Sequence, residues 1–153
     1  MSKEGILLHA TCVAIGGHGV LIMGPPGSGK SDLALRLIDG AGCGIGTEFL
    51  AAKLVSDDQT MVMRRGDRLI GSAPEAIAGK LEIRGLGIVE LQYQAESELS
   101  LAVTLTPEIE RMPVAAEQAC DICGVSLRAV SIEPESPSAP ARIRAALGHL
   151  VER

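Results

Sequence analysis

The sequence predicts an α/β fold in one domain, organised around a strand, a glycine-rich loop and a helix. Three observations carry that prediction. Residues 20–23 (VLIM) form an apolar run that enters the glycine-rich stretch 24–31, and Leu33, Ala34, Leu37 and Ile38 then recur at helical spacing. Most of the remaining chain is cut into short apolar segments by turn residues such as Arg65, Gly66 and Asp67, the pattern of a sheet. The length of 153 residues, 46% of them hydrophobic, suits a single domain over residues 1–153 with its own core.

The elements follow in order. Residues 20–23 read as a buried strand and 31–38 as a helix, with Asp32 in the first turn near the positive end of the helix dipole. Residues 40–46 (GAGCGIG) read as a mobile surface loop. Strands are expected at 53–56, ending on Asp57 and Asp58, and at 59–63, 69–71, 81–90 and 99–105. A helix is expected over 115–123, a strand over 125–132, and a linker over 133–140, which holds three prolines. The last stretch places Ile143, Leu147, Leu150 and Val151 on one helical face.

Composition excludes several classes of function. Phe49 and Tyr93 are the only aromatic residues, so the core must come from Leu, Ile, Val, Ala and Met. Without stacking platforms, and with a formal charge of −5, the chain is not expected to bind nucleic acid. His9 and the Gly16-Gly17-His18 group interrupt the early apolar run, so no export signal is expected. No stretch reaches the roughly 20 apolar residues that span a bilayer, so no membrane partner and a cytoplasmic location are expected. Cys120 and Cys123 form a C-x-x-C with no second pair to complete a zinc site. An ordinary apolar or helical placement is predicted for them.

The glycine-rich stretch carries the first chemistry. Gly24, Pro25, Pro26, Gly27, Ser28, Gly29, Lys30 and Ser31 satisfy G-x-x-x-x-G-K-[ST] at every fixed position, between a strand and a helix as that motif requires. Small residues let backbone N–H groups turn toward phosphates, and the helix N-terminus adds its own. Lys30 can reach the β- and γ-phosphates of a nucleotide, and the Ser31 hydroxyl can take one Mg²⁺ position. Asp57 and Asp58 end a buried strand beside this loop. Adjacent residues on a strand point to opposite faces, so the two carboxylates are expected to divide between metal binding and proton transfer.

Residues 81–88 (LEIRGLGI) are the third feature. Alternation puts Glu82 and Arg84 on one face and Leu81 and Ile83 on the other. A carboxylate and a guanidinium followed by two glycines can hold a metal and a transferring phosphoryl group. The same residues also read as an ordinary surface ion pair on an edge strand.

In this order, GPPGSGKS, LVSDD and LEIRGLGI resemble the catalytic domain of HPr kinase/phosphorylase, and LHATCVAI resembles the strand that carries that family's active-site histidine, here His9. The resemblance runs from about Leu7 to Leu147. With ERMP around Arg111 and the tail SAPARIRAAL, it also resembles the short form found in alphaproteobacteria. It implies a mixed sheet like that of phosphoenolpyruvate carboxykinase rather than a doubly wound fold. It also implies ATP- and Mg²⁺-dependent phosphorylation of a serine on HPr, a small phosphocarrier protein of the phosphotransferase system.

On that resemblance Lys30 and Ser31 hold the nucleotide, and Asp57, Ser31 and Glu82 face the Mg²⁺. Asp58 is favoured as the base, His9 lies near the transferring group, and Arg84 and Arg111 offset developing negative charge. A homo-oligomer, a hexamer in the family, is implied as well. Two departures stand out. Lys30 to Asp57 is 57 − 30 = 27 residues, longer than the family's usual interval, which implies a surface insertion within 40–52. The glycine- and arginine-rich segment of bifunctional members is replaced by IEPESPSAPARI, where Arg142 is the nearest substitute, so the chain is expected to act mainly as a kinase.

The competing readings are a small-molecule P-loop kinase, which needs an arginine-rich lid, and an ATP-sensing module without turnover. No such lid cluster is present in the sequence, and a pure sensor has no need of Asp57, Asp58 and Glu82 together.

Overall fold

The mixed sheet is organised by its longest strand. A computed structural model describes residues 5–109, 111–112 and 118–151. Its strands are β1 (Gly5–Leu8), β2 (Ala10–Ile15), β3 (His18–Met23), β4 (Ala52–Ser56), β5 (Thr60–Arg65), β6 (Arg68–Ser72), β7 (Lys80–Ile83), β8 (Gly87–Glu90), β9 (Glu96–Leu105), β10 (Ala119–Ile122) and β11 (Val125–Ile132). The helices are α1 (Lys30–Asp39) and α2 (Ala139–Val151).

The sheet runs β1-β5-β6-β9-β3-β2-β4, with β11 also on β9 and β10 beyond it. β3 and β11 are parallel to β9, and the other pairs of this sheet are antiparallel. β7 and β8 form a separate hairpin. The first residues of β9 alternate between exposed and buried where they meet β6. Leu101, Ala102 and Val103 are then all buried where β9 lies between β3 and β11. A strand flanked on both edges and covered on both faces reads as a continuous apolar run, which is the pattern seen here.

The two faces bury two cores. Val13, Ile15, Val20, Ile22, Leu101 and Val103 face α1 and α2, which contribute Leu33, Ala34, Leu37, Ile143 and Leu147. Cys12, Ala14, Leu21 and Ala102 point the other way, onto Val62, Leu69, Ile122 and Leu127 of the curled part of the sheet. Cys120 and Cys123 pack against this second core, so their placement is apolar. Each fully buried Leu or Ile is worth about 1.5–3 kcal/mol relative to exposure. No helix among the described residues is long and apolar enough to cross a membrane.

Most expected elements are present, with three corrections. The strand expected over 81–90 is a hairpin, because Gly85 (φ 88°) and Gly87 (φ 98°) break the extended run into β7 and β8. The helix expected over 115–123 is not formed at its C-terminal end: Ala119–Ile122 is β10, and residues 113–117 lie outside the described ones. There a two-residue turn with positive φ at Cys123 (52°) and Gly124 (79°) folds β10 onto β11, and the pairing outweighs local helical preference. The linker is shorter than 133–140, since Ala139 and Pro140 open α2, where a proline's missing N–H costs nothing. Leu150 and Val151 of the expected helical face have side chains outside the described ones.

The 40–52 insertion lies on the surface, with Ile45 and Phe49 exposed. Its base is nonetheless fastened. Gly42 bridges to Leu50, and the buried Arg144 of α2 donates to the carbonyls of Leu50 (3.0 Å) and Leu37 (2.9 Å). A Cβ on Gly44 would stand 2.6 Å from the backbone N of Ala145, so the close approach of loop and helix requires glycine there.

Candidate active site

The cradle forms where β3 gives way to α1. Gly27 (φ 79°) and Gly29 (φ 102°) occupy conformations that side chains rarely adopt. A Cβ on Gly24 would lie 2.5 Å from Ser28 Oγ. Lys30, 6% exposed, folds its ammonium onto the loop and donates to the carbonyls of Gly24 (2.9 Å) and Pro25 (3.2 Å). Ser28 Oγ is buried with no hydrogen-bond partner among the described residues. The N-cap of α1 is Gly29, with no side-chain cap, so the first-turn N–H groups are left for a ligand. An orphan hydroxyl, uncapped amides and a lysine around one glycine loop fit a phosphate chain.

Asp57 and Asp58 follow β4 and point different ways, through a turn rather than by strand alternation. Ser56 Oγ donates to the Gln59 carbonyl and Gln59 N donates to the Asp57 carbonyl, closing the turn. Asp57, 7% exposed, is turned inward. Its Oδ1 accepts from Ser31 Oγ (2.6 Å) and Thr11 Oγ1 (3.1 Å), and its Oδ2 from the Glu82 amide (3.1 Å). Three donors offset the desolvation of a buried carboxylate. Asp58 sits at φ 64° with its side chain 67% exposed, Oδ1 4.0 Å from Lys30 Nζ. The Ser31–Asp57 pair offers two hard oxygen donors to one point, which fits Mg²⁺, a cation that takes few protein ligands and keeps waters.

The other predicted residues are less closely tied to the cradle. Glu82 is joined to the pair through its backbone amide while its side chain is exposed. Arg84 is exposed in the turn between β7 and β8, not on a shared strand face with Glu82, because β7 ends at Ile83. His9 is exposed at the bend between β1 and β2, one residue beyond the Ala10–Met23 pair and so level with the start of the cradle. Arg111 is exposed after β9 and forms no hydrogen bond or ion pair with the cradle among the described residues.

Sequence reasoning missed Thr11. It is fully buried on β2, donates to Asp57 Oδ1 and accepts from the Asp58 amide (3.1 Å). The available signal was a lone hydroxyl in the apolar run of residues 10–15 (ATCVAI). The 133–138 linker is a second surprise, because it packs against the cradle. A Cβ on Gly29 would meet Pro134 at 3.4 Å, Arg36 donates to the carbonyls of Pro134 and Ser136, and Arg142 pairs with Glu133 at 2.9 Å.

A strand–glycine loop–helix cradle beside an acid pair, on a mixed sheet, defines a phosphate-loop protein of the α/β class. The family model described as HPr Serine kinase C-terminal domain matches residues 2–143, and the chain belongs to that family. Among its relatives, an HPr kinase/phosphorylase of Cupriavidus metallidurans is 33% identical over 145 residues, covering 87% of this chain and 42% of the relative. One of an Exiguobacterium species is 37% identical over 106 residues, covering 64% of this chain and 31% of the relative. The chain thus spans less than half the length of these curated relatives. The HPr(Ser) kinase/phosphatase structure from Coxiella burnetii matches with a TM-score of 0.76 at 26% identity, covering 96% of this chain and 97% of that one. The fold class expected from sequence, a mixed-sheet phosphate-loop fold, is the one found.

Proposed function

We propose that this chain is the catalytic domain of an ATP-dependent protein kinase that phosphorylates a serine of an HPr-like phosphocarrier. The observation that carries the reading is the 2.6 Å Ser31–Asp57 hydrogen bond, with Lys30 and the exposed Asp58 on the same loop. It sets a phosphate cradle, a metal-type oxygen pair and a free carboxylate side by side.

The uncapped amides of α1 and the Lys30 ammonium, released from the loop carbonyls, hold the β- and γ-phosphates. Ser31 and Asp57 would hold Mg²⁺, with help from Glu82 as the family resemblance implies, and the ion would supply charge neutralisation across the phosphates. Asp58 accepts the proton of the acceptor serine as its oxygen attacks the γ-phosphorus. The bond to the β,γ-bridging oxygen breaks and ADP leaves. A serine hydroxyl is a weak nucleophile, so an exposed carboxylate within reach is what the step needs. As the family resemblance implies, His9 lies near the transferring group, and Arg84 and Arg111 offset the developing negative charge.

The forward direction predominates on this reading, because the glycine- and arginine-rich segment tied to the reverse reaction in the family is replaced here by IEPESPSAPARI. The chain assembles as a homo-oligomer, as the family resemblance implies. Incubation with Mg-ATP and HPr tests the reading: one phosphate on a serine is expected by intact mass and peptide mapping. ATP binding without phosphorylated HPr would move the chain to a small-molecule kinase or a nucleotide sensor. Rapid loss of the phosphate from serine-phosphorylated HPr in inorganic phosphate would overturn the directional part.

A further inference from the structure

We propose that Thr11 is a positioning residue that divides the acid pair, orienting Asp57 toward the metal side and holding Asp58 in its outward conformation. This deepens the kinase reading and rests on it. Thr11 is the only hydroxyl in β2, an otherwise apolar strand, and it is completely buried. Its proton goes to Asp57 Oδ1 at 3.1 Å, and an oxygen lone pair takes the Asp58 N–H at 3.1 Å. Both kinds of hydrogen-bonding capacity of one side chain are therefore spent on the acid pair.

The backbone arranges this meeting. Between β2 and β4 the register shifts: Val13 pairs with Leu54 but Cys12 pairs with Ser56, leaving Val55 as the extra residue. One step further along, Thr11 stands opposite Asp57. Without the bulge it would face Ser56, and re-aiming a side chain at a site is what such bulges do. Asp58 is one of two described non-glycine residues with positive φ, a conformation that needs an external hold. The Thr11 hydroxyl supplies that hold through the Asp58 amide. The same hydroxyl fixes the carboxylate that Ser31 also approaches. Thr11 thus acts through both aspartates, without touching nucleotide or acceptor itself.

The test uses the full chain with Thr11→Val, which keeps shape and loses the hydroxyl, and Thr11→Ser, which keeps the hydroxyl. Two readouts need no acceptor: ADP affinity with Mg²⁺ and in EDTA, and the hydrogen-exchange rate of the Asp58 amide in metal-free protein. For Thr11→Val, the Mg²⁺-dependent gain in ADP affinity is expected to fall at least ~10-fold and Asp58 exchange to quicken by at least ~10-fold. ADP affinity in EDTA should stay within about twofold, and Thr11→Ser should restore both losses to within about threefold.

A general loss of structure would weaken ADP binding equally with and without Mg²⁺, and that result would overturn the proposal. So would wild-type behaviour of Thr11→Val in both readouts, or a Thr11→Ser variant as impaired as Thr11→Val. Should Thr11→Val not fold, Thr11→Ala carries the same expectations. A wild-type protein that never phosphorylates HPr would remove the kinase reading alone, since neither readout involves the acceptor.

Discussion

The cradle and the rim of the site are built in opposite ways. In the cradle the charged and metal-side groups are tied to the chain: Lys30 to two loop carbonyls, Ser31 to Asp57, and Asp57 to two further donors. Of the remaining predicted residues, His9, Arg84 and Arg111 are exposed, and so is the Asp58 side chain. On the proposed reading, the half that takes the nucleotide is largely held by its own hydrogen bonds, and the half that would receive the acceptor protein is left open. The boundary runs between two adjacent residues, Asp57 and Asp58.

The largest effect should come from breaking the cradle. Lys30→Ala is expected to lower phosphoryl transfer by ~10³-fold and to weaken Mg-ATP binding as well, measured by intact-mass assay and by titration. On the rim, Arg84→Ala should cost ~10²-fold in transfer while leaving Mg-ATP affinity within about twofold. Equal losses of binding in the two variants would erase the distinction between the regions.

Beneath the cradle, Leu37→Ala is expected to lower stability by about 2–5 kcal/mol, because Leu37 is fully buried between α1 and the sheet. Denaturant midpoints at a constant slope would check it. Cys12, on the opposite face of β2, gives a pH test. Burial pushes its thiol up to about 12, against which a hydrogen bond from the Val20 backbone is minor. The folded thiol therefore stays neutral where the unfolded one ionises, so its stability contribution is intact below pH ~9 and lost as pH rises toward 12. The slope is about 1.4 kcal/mol per pH unit, and Cys12→Ala should remove that component.

The smallest effect is expected far from the site. The Arg65 guanidinium holds the exposed Glu96 carboxyl below its ordinary range. Glu96→Gln should nonetheless leave the thermal midpoint almost unchanged, because solvent screens the pair.

How much of this was legible in the sequence follows from where the information resides. The cradle is a local motif, and its strand, loop and helix formed as the spacing of Leu33, Ala34 and Leu37 predicted. The Asp57/Asp58 division was anticipated from strand geometry, but it is executed by a positive φ at Asp58 that no sequence pattern announced. Thr11 was invisible for a different reason: its partners are 46 and 47 residues away and depend on a one-residue register shift. The β10 strand was lost because Ala119–Ile122 carries little strand preference and owes its form to pairing with β11. The packing of the 133–138 linker onto the cradle likewise rests on contacts from Arg36, about 100 residues distant in sequence.

The measurement that tests the division most directly is the pairing of Mg-ATP affinity with single-turnover transfer to HPr in Asp58→Asn. Retained affinity with transfer reduced by ~10³-fold is the predicted result, since the variant keeps the cradle and loses the proton acceptor. Transfer at the wild-type rate, or a loss of nucleotide binding as large as the loss of transfer, would contradict the account.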